Sequence, residues 1–69
     1  MSQHETYAVV GMTCGHCVAA VTEQIEQIGG VTSVDVDLAS GAVEVVADRP
    51  LRRDEVEAAV VEAGYALAP

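Results

Sequence analysis

The chain has 69 residues, of which 51% are hydrophobic, and it carries 11 acidic residues against three basic ones. A chain of this length forms one domain with a thin core, so we expect a single domain over residues 1–69 without a deep substrate cleft, which argues against an enzyme. The net charge of −8 leaves no basic patch to neutralise phosphates, which excludes nucleic acid and anionic membrane surfaces as partners.

The apolar residues occur in short runs. None of these runs approaches the ~20 consecutive residues that a membrane-spanning helix needs, and the first ten residues have neither the basic segment nor the apolar segment of a secretory signal. We therefore expect a soluble, cytoplasmic protein without membrane insertion. Repulsion between like-charged copies favours a monomer.

The first half of the chain predicts a strand followed by a helix. A strand is expected over residues 5–10, and Gly11 ends it. Apolar residues then recur with a helical period, which predicts an amphipathic helix that ends at Gly29-Gly30. The apolar stripe of this helix comprises Val18, Val21, Ile25 and Ile28.

The second half predicts a hairpin, a helix and a last short strand. Residues 31–38 end in an alternation of apolar side chains with Asp35 and Asp37, which is typical of a half-buried strand. A turn at residues 39–41 joins it to a strand over 43–48. A second helix is expected from about Leu51 to Ala63, although no Ser, Thr or Asn stands at its start, and residues 65–67 form the last strand.

The element order β-α-β-β-α-β predicts an α+β fold of the ferredoxin-like type. In this fold a four-stranded antiparallel sheet carries both helices on one face. The acidic side chains of the hairpin are then expected on the other face, in water.

The two cysteines, Cys14 and Cys17, are separated by Gly15 and His16 at the junction between the first loop and the first helix. A helix N-terminus presents unpaired N–H groups and a partial positive charge, both of which favour the thiolate over the thiol. Thiolates at this spacing converge on one ion, so the pair indicates metal binding.

The number of soft ligands favours one metal over others. Thiolates select Cu(I), zinc or iron–sulfur clusters, but structural zinc and iron–sulfur clusters usually need four ligands. Two cysteines and at most one adjacent imidazole fit Cu(I), which accepts two sulfurs in a near-linear arrangement. Such a site has room for a third, incoming thiolate, so the ion can be passed on by ligand exchange.

The segment Gly11-Met12-Thr13-Cys14-Gly15-His16-Cys17 resembles the metal-binding loop of the heavy-metal-associated domain family, and the likeness extends through residues 30–36, the Ser40-Gly41 turn and Ala63-Gly64-Tyr65. It covers essentially the whole chain and is strongest toward bacterial copper chaperones of the CopZ type. The resemblance implies Cu(I) on Cys14 and Cys17 and delivery to a copper-transporting P-type ATPase. A copper-responsive repressor is a further candidate partner.

Four neighbouring residues have candidate roles. His16 is either a solvated residue that tunes the thiols, which we favour, or a third ligand, or a bridge in a metal-linked dimer. Met12 is expected to be an anchor in the core rather than a thioether ligand. Thr13 fits the copper-type loop of the family, in which zinc- and cadmium-type members often carry Asp. The resemblance also implies that Tyr65 packs beneath the thiolates and so influences them indirectly.

Three other functions stay open from the sequence. The chain could be the isolated N-terminal metal-binding module of a copper-transporting ATPase, a carrier of zinc, cadmium or mercury, or a thiol–disulfide enzyme. The last needs a larger fold around its cysteine pair than 69 residues provide. Glu23 and Glu26, which we expect near the metal end of the first helix, are candidates for docking a basic partner.

Overall fold

The computed structural model describes residues 3–12 and 15–68. Within them the elements follow in the order β1 (Gln3–Val10), α1 (Gly15–Glu26), β2 (Val31–Asp37), β3 (Ala42–Ala47), α2 (Arg53–Glu62) and β4 (Ala66–Leu67). The described strands form a four-stranded antiparallel sheet in the order β2-β3-β1-β4. This arrangement confirms the predicted ferredoxin-like fold.

The boundaries of the elements differ from the predicted ones by one or two residues. The largest difference in the first helix is its end, because α1 stops at Glu26 although the apolar stripe continues to Ile28. The backbone N–H of Ile28 donates to the carbonyl of Ile25 at 3.0 Å in a tighter turn. Ile28 still packs against the core. The apolar stripe therefore predicts the packing of Ile28 correctly, although this residue lies beyond the end of α1.

The core lies between the sheet and the two helices. One stripe of each helix and one face of β3 supply its fully buried side chains, which are Val21, Ile25, Val43, Val45, Val56 and Val60. Burying a side chain of this size stabilises the fold by roughly 1.5–3 kcal/mol. The periodicity of the sequence therefore predicts the core as well as the elements.

The opposite face of the sheet is exposed, and the hairpin of β2 and β3 places acidic residues on it. Asp35 of β2 lies directly across from Glu44 of β3, and both side chains are exposed, as predicted for this hairpin. β2 is an edge strand whose pairing with β3 shifts register between Val31 and Ser33. Thr32, at the shift, donates from its hydroxyl to the carbonyl of Val46 at 3.1 Å.

The start of α2 is held by a carboxylate rather than by a Ser, Thr or Asn. Glu55 accepts a hydrogen bond from the backbone N–H of Arg52, the residue before the helix, at 2.9 Å. The same carboxylate accepts two hydrogen bonds from Arg49, at 2.9 Å from Nη2 and 3.3 Å from Nη1. Arg49 Nε in turn donates to the carbonyl of Gly29 at 2.8 Å. This Arg49–Glu55 clamp joins the connection after α1 to the start of α2.

The clamp also changes the acidity of its carboxyl group. The hydrogen bond from Arg49, followed by the one from the Arg52 backbone, lowers the pKa of Glu55 from 4.5 to about 2. The same hydrogen bond raises the pKa of Arg49. A lowered pKa for the carboxyl group and a raised pKa for the guanidinium both mean that the ionised forms are favoured, because each charge is stabilised by the other.

None of the helices in the described part of the chain is long and apolar enough to cross a membrane.

Candidate metal site

The segment that carries the cysteines begins where β1 ends. We call residues 11–14, which connect β1 to α1, the thiolate loop; the structure describes the first two of them, Gly11 and Met12. Val9, the last buried residue of β1, lies two positions before Gly11, which has a backbone φ of +97°. This is a left-handed conformation that glycine adopts without steric cost, and it turns the chain from the strand into the loop. The predicted ligand Cys14 and the predicted neighbour Thr13 lie outside the described residues.

Cys17 is the third residue of α1 and is only 7% exposed. The first turn of α1 contains no acidic residue, so no carboxylate there offsets the partial positive charge of the helix N-terminus. The dipole of this turn favours the thiolate of Cys17. Its burial in the first turn agrees with the interpretation of Cys17 as the sulfur that the helix anchors.

His16 is exposed, although it is the direct neighbour of the buried Cys17. Successive side chains on a helix leave the axis about 100° apart, and the difference in exposure indicates that the imidazole faces water. This supports the interpretation of His16 as a solvated residue. It also makes the imidazole accessible to a second copy of the chain.

Met12, in the thiolate loop, and Tyr65, after α2, both pack against the core. Met12 is half-buried and packs against the core cluster, which supports its interpretation as an anchor. Tyr65 is also half-buried, and its Cδ1 atom lies 3.4 Å from the position that a Cβ on Gly11 would take. The segment after α2 therefore contacts the start of the thiolate loop, as the topology predicts. An influence of Tyr65 on the thiolates stays a prediction.

The described residues show no group of three or more His, Cys, Asp or Glu side chains that could hold a metal ion.

The expectation that Glu23 and Glu26 lie near the metal end is wrong for Glu26. Glu26 is the last residue of α1, nine residues after Cys17, so about 14 Å of helix separates them.

Sequence reasoning missed one contact at this end of the molecule. Gly41, which we expect only as a turn glycine, accepts a hydrogen bond from the backbone N–H of Val9 at 2.8 Å. The turn between β2 and β3 therefore touches β1 just before the thiolate loop. Only the order of the strands and their register could have revealed this contact.

Comparison with known proteins shows which family the chain matches. Residues 6–66 match the model of the heavy-metal-associated domain. The chain is 42% identical over 66 residues to the copper chaperone CopZ of Staphylococcus aureus, an alignment that covers 94% of this chain and 96% of its relative.

Two solved structures show the same architecture. A CopZ metallochaperone superposes with a TM-score of 0.88 at 37% identity, covering 96% of this chain and 100% of the other. A copper-binding domain from HMA7, a P-type ATPase, superposes with a TM-score of 0.86 at 25% identity, covering 99% of this chain and 92% of the other. Both a chaperone and an ATPase domain are thus among the proteins that this chain resembles.

Proposed function

Because the chain belongs to the heavy-metal-associated domain family, we propose that it is a cytoplasmic metallochaperone that binds Cu(I) on Cys14 and Cys17 and delivers it to a copper-transporting P-type ATPase. The observation that carries the proposal is the position of Cys17, buried in a helical first turn that has no acidic residue. The 42% identity to a CopZ copper chaperone supports copper as the cargo.

The thiolates act by holding an ion with few ligands. Cu(I) on two thiolates forms a complex with a net charge of −1, which the N-terminus of α1 stabilises. A thiolate of the partner adds as a third ligand, and one of the chain's own thiolates then leaves and regains a proton. The copper stays Cu(I) throughout, and the chain makes and breaks only metal–sulfur bonds, so no catalytic turnover is involved.

The two cysteines have different roles in this exchange. Cys17 is fixed by the helix and by burial, so we propose that it keeps the ion while the partner attacks. Cys14, which precedes the helix in the sequence, is the thiolate that first receives or releases the ion. Met12 and Thr13 precede Cys14 in the sequence, and Tyr65 lies against Gly11; we propose that all three adjust the environment of the thiolates without binding copper.

The charge of the chain restricts its partners. With a net charge of −8, the chain associates fastest with a metal-binding domain that presents a basic surface, and added salt slows this association. The same charge keeps the metal-free chain monomeric. In a copper-bridged dimer, the exposed His16 or a thiolate of the second copy completes the coordination of the ion. This dimer forms most readily at high salt, because salt screens the repulsion between the two negatively charged chains. A copper-responsive repressor is a second candidate recipient.

The decisive experiment is a titration with Cu(I) against a Cu(I)-specific chelator, with native mass spectrometry to count metal ions and chains. We expect one Cu(I) per chain, and loss of tight binding in C14S and in C17S because a hydroxyl is a hard, weakly acidic ligand. M12L is the matched control, because it alters a side chain of the same loop and should leave the affinity nearly unchanged.

Three outcomes would contradict parts of the proposal. If C14S/C17S still held stoichiometric Cu(I), the site would be elsewhere. A large loss of affinity in M12L would make the thioether a ligand. Preferential binding of Zn(II) in the same competition would assign the chain to the alternative carriers of zinc, cadmium or mercury.

The fold similarity to a domain of a P-type ATPase also supports a second candidate, the N-terminal metal-binding module of such a transporter. The metal chemistry is the same in both cases. The length of the encoding reading frame beyond Pro69 distinguishes a separate chaperone from a module of a longer protein.

A further inference from the structure

The turn between β2 and β3 is fastened to the end of β1 at Gly41. The backbone N–H of Gly41 donates to the carbonyl of Asp37 at 2.8 Å, which closes the turn, and its carbonyl accepts from the N–H of Val9 at 2.8 Å. Gly41 has a φ of +77°. A Cβ at this position would lie 2.8 Å from the carbonyl oxygen of Val9, which is closer than real Cβ contacts allow.

The clash would be with backbone, and that backbone has little room to move. Val9 is 6% exposed and pairs on its other side with Leu67 of β4. The next hydrogen bond along that side runs from the N–H of Ala68 to the carbonyl of Ala8 at 2.8 Å. The end of β1 is therefore held between the turn at Gly41 and the last strand. A displacement of the Val9 backbone away from the turn would be a displacement toward β4.

The residues that follow Val9 are those of the thiolate loop. Gly11 follows Val9 by two positions and lies against the ring of Tyr65. Met12, the next residue, packs against the core. A displacement of Val9 by a few tenths of an ångström would shift Gly11 against that ring. The position of Gly11, where the loop starts, thus depends on how closely the turn approaches β1.

We infer that Gly41 is a positioning residue for the start of the thiolate loop, Gly11 and Met12: the absence of a side chain lets the turn close on Val9 and fixes where Gly11 leaves the sheet. This inference rests on the proposed function only for its copper readout. Residues that orient metal ligands indirectly typically change metal affinity by 10- to 100-fold when they are replaced.

The test compares G41A with G30A. Gly30 is a matched control, because it also has a positive φ, +95°, and its added Cβ would also lie 2.8 Å from the nearest atom. That atom is a side-chain oxygen of Asp48, beyond the end of β3 that pairs with the start of β1. G41N is a second variant with the same Cβ, since asparagine tolerates a positive φ better than alanine does.

Two properties are measured on variants that urea unfolding has shown to be fully folded. The first is Cu(I) affinity by chelator competition, and the second is the rate at which iodoacetamide alkylates each cysteine of the metal-free chain at one fixed pH. We expect G41A and G41N to weaken Cu(I) binding by roughly 10-fold and to change the ratio of the two alkylation rates. G30A should change neither, whatever its loss of stability.

The outcomes separate this inference from the proposed function. If the unaltered chain binds Cu(I) tightly and G41A and G41N match G30A in both properties, Gly41 has only a structural role and the inference is wrong. If the unaltered chain does not bind Cu(I), the proposed function fails, and the alkylation rates still decide whether Gly41 positions the loop.

Discussion

The Arg49–Glu55 clamp predicts a specific dependence of stability on pH. E55Q keeps the shape of the side chain but removes the charge that Arg49 and the Arg52 backbone bind. The pKa of Glu55 is about 2 in the folded chain against an ordinary value of 4.5. At a pH midway between these values, the unfolded carboxyl is about 95% protonated and the folded one about 5%, so unfolding takes up about 0.9 proton at this residue.

The sign of the effect follows from the lowered pKa. The stabilisation from the ionised carboxylate is fully present above pH 4.5 and is lost as the pH falls toward about 2, where the folded carboxyl is also protonated. The difference in unfolding free energy between the unaltered chain and E55Q should therefore be constant near neutral pH, shrink steeply between these two values and nearly vanish below them.

Urea unfolding at a series of pH values measures this difference. E57Q is the matched control, because it removes an exposed acid from the same helix and changes the net charge equally. Subtracting its profile isolates the clamp from the general effect of charge. Since Glu55 is 29% exposed and Arg49 42% exposed, added salt should weaken the effect. The reasoning would be refuted if the E55Q difference were as independent of pH as that of E57Q.

Two further predictions concern the core and the open face of the sheet. I25A removes a fully buried side chain and should lower the unfolding free energy by about 2–5 kcal/mol; a loss below about 1 kcal/mol in urea unfolding would mean that the core collapses around the cavity. E44R places a cation opposite Asp35 in place of a like charge and should raise the unfolding free energy by roughly 0.2–1 kcal/mol. An equal gain in E57R would show that only net charge matters.

The sequence predicts those features that depend on local periodicity. The stripe through Val21 and Ile25 and the alternation through Val43 and Val45 correctly place one helix, one strand and their buried faces. These patterns succeed because the same side chains that set the period also form the core. The strand–loop–helix junction at the cysteines is local as well, so the position of Cys17 in the first turn follows from it.

The features that the sequence does not predict depend on distant partners. The start of α2 has no usual capping residue, and its cap comes from Glu55, three residues inside the helix boundary. A glutamate at this spacing is a signal that could have been used. The contact of Arg49 with Gly29, 20 residues away, and that of Gly41 with Val9 require the finished packing of the elements, and no local pattern contains them.

Because β2 is an edge strand of the sheet, it affects how the chain behaves at high protein concentration. An unpaired strand edge is a template on which another strand can add, and repeated addition produces aggregates. In this chain the register shift between Val31 and Ser33 interrupts the regular pattern of β2. The exposed residues Asp35 and Asp37 follow on the same strand. A second copy that approached this edge would meet a strand with a shifted register and like charge, so copies at high concentration are kept from adding to one another's sheets.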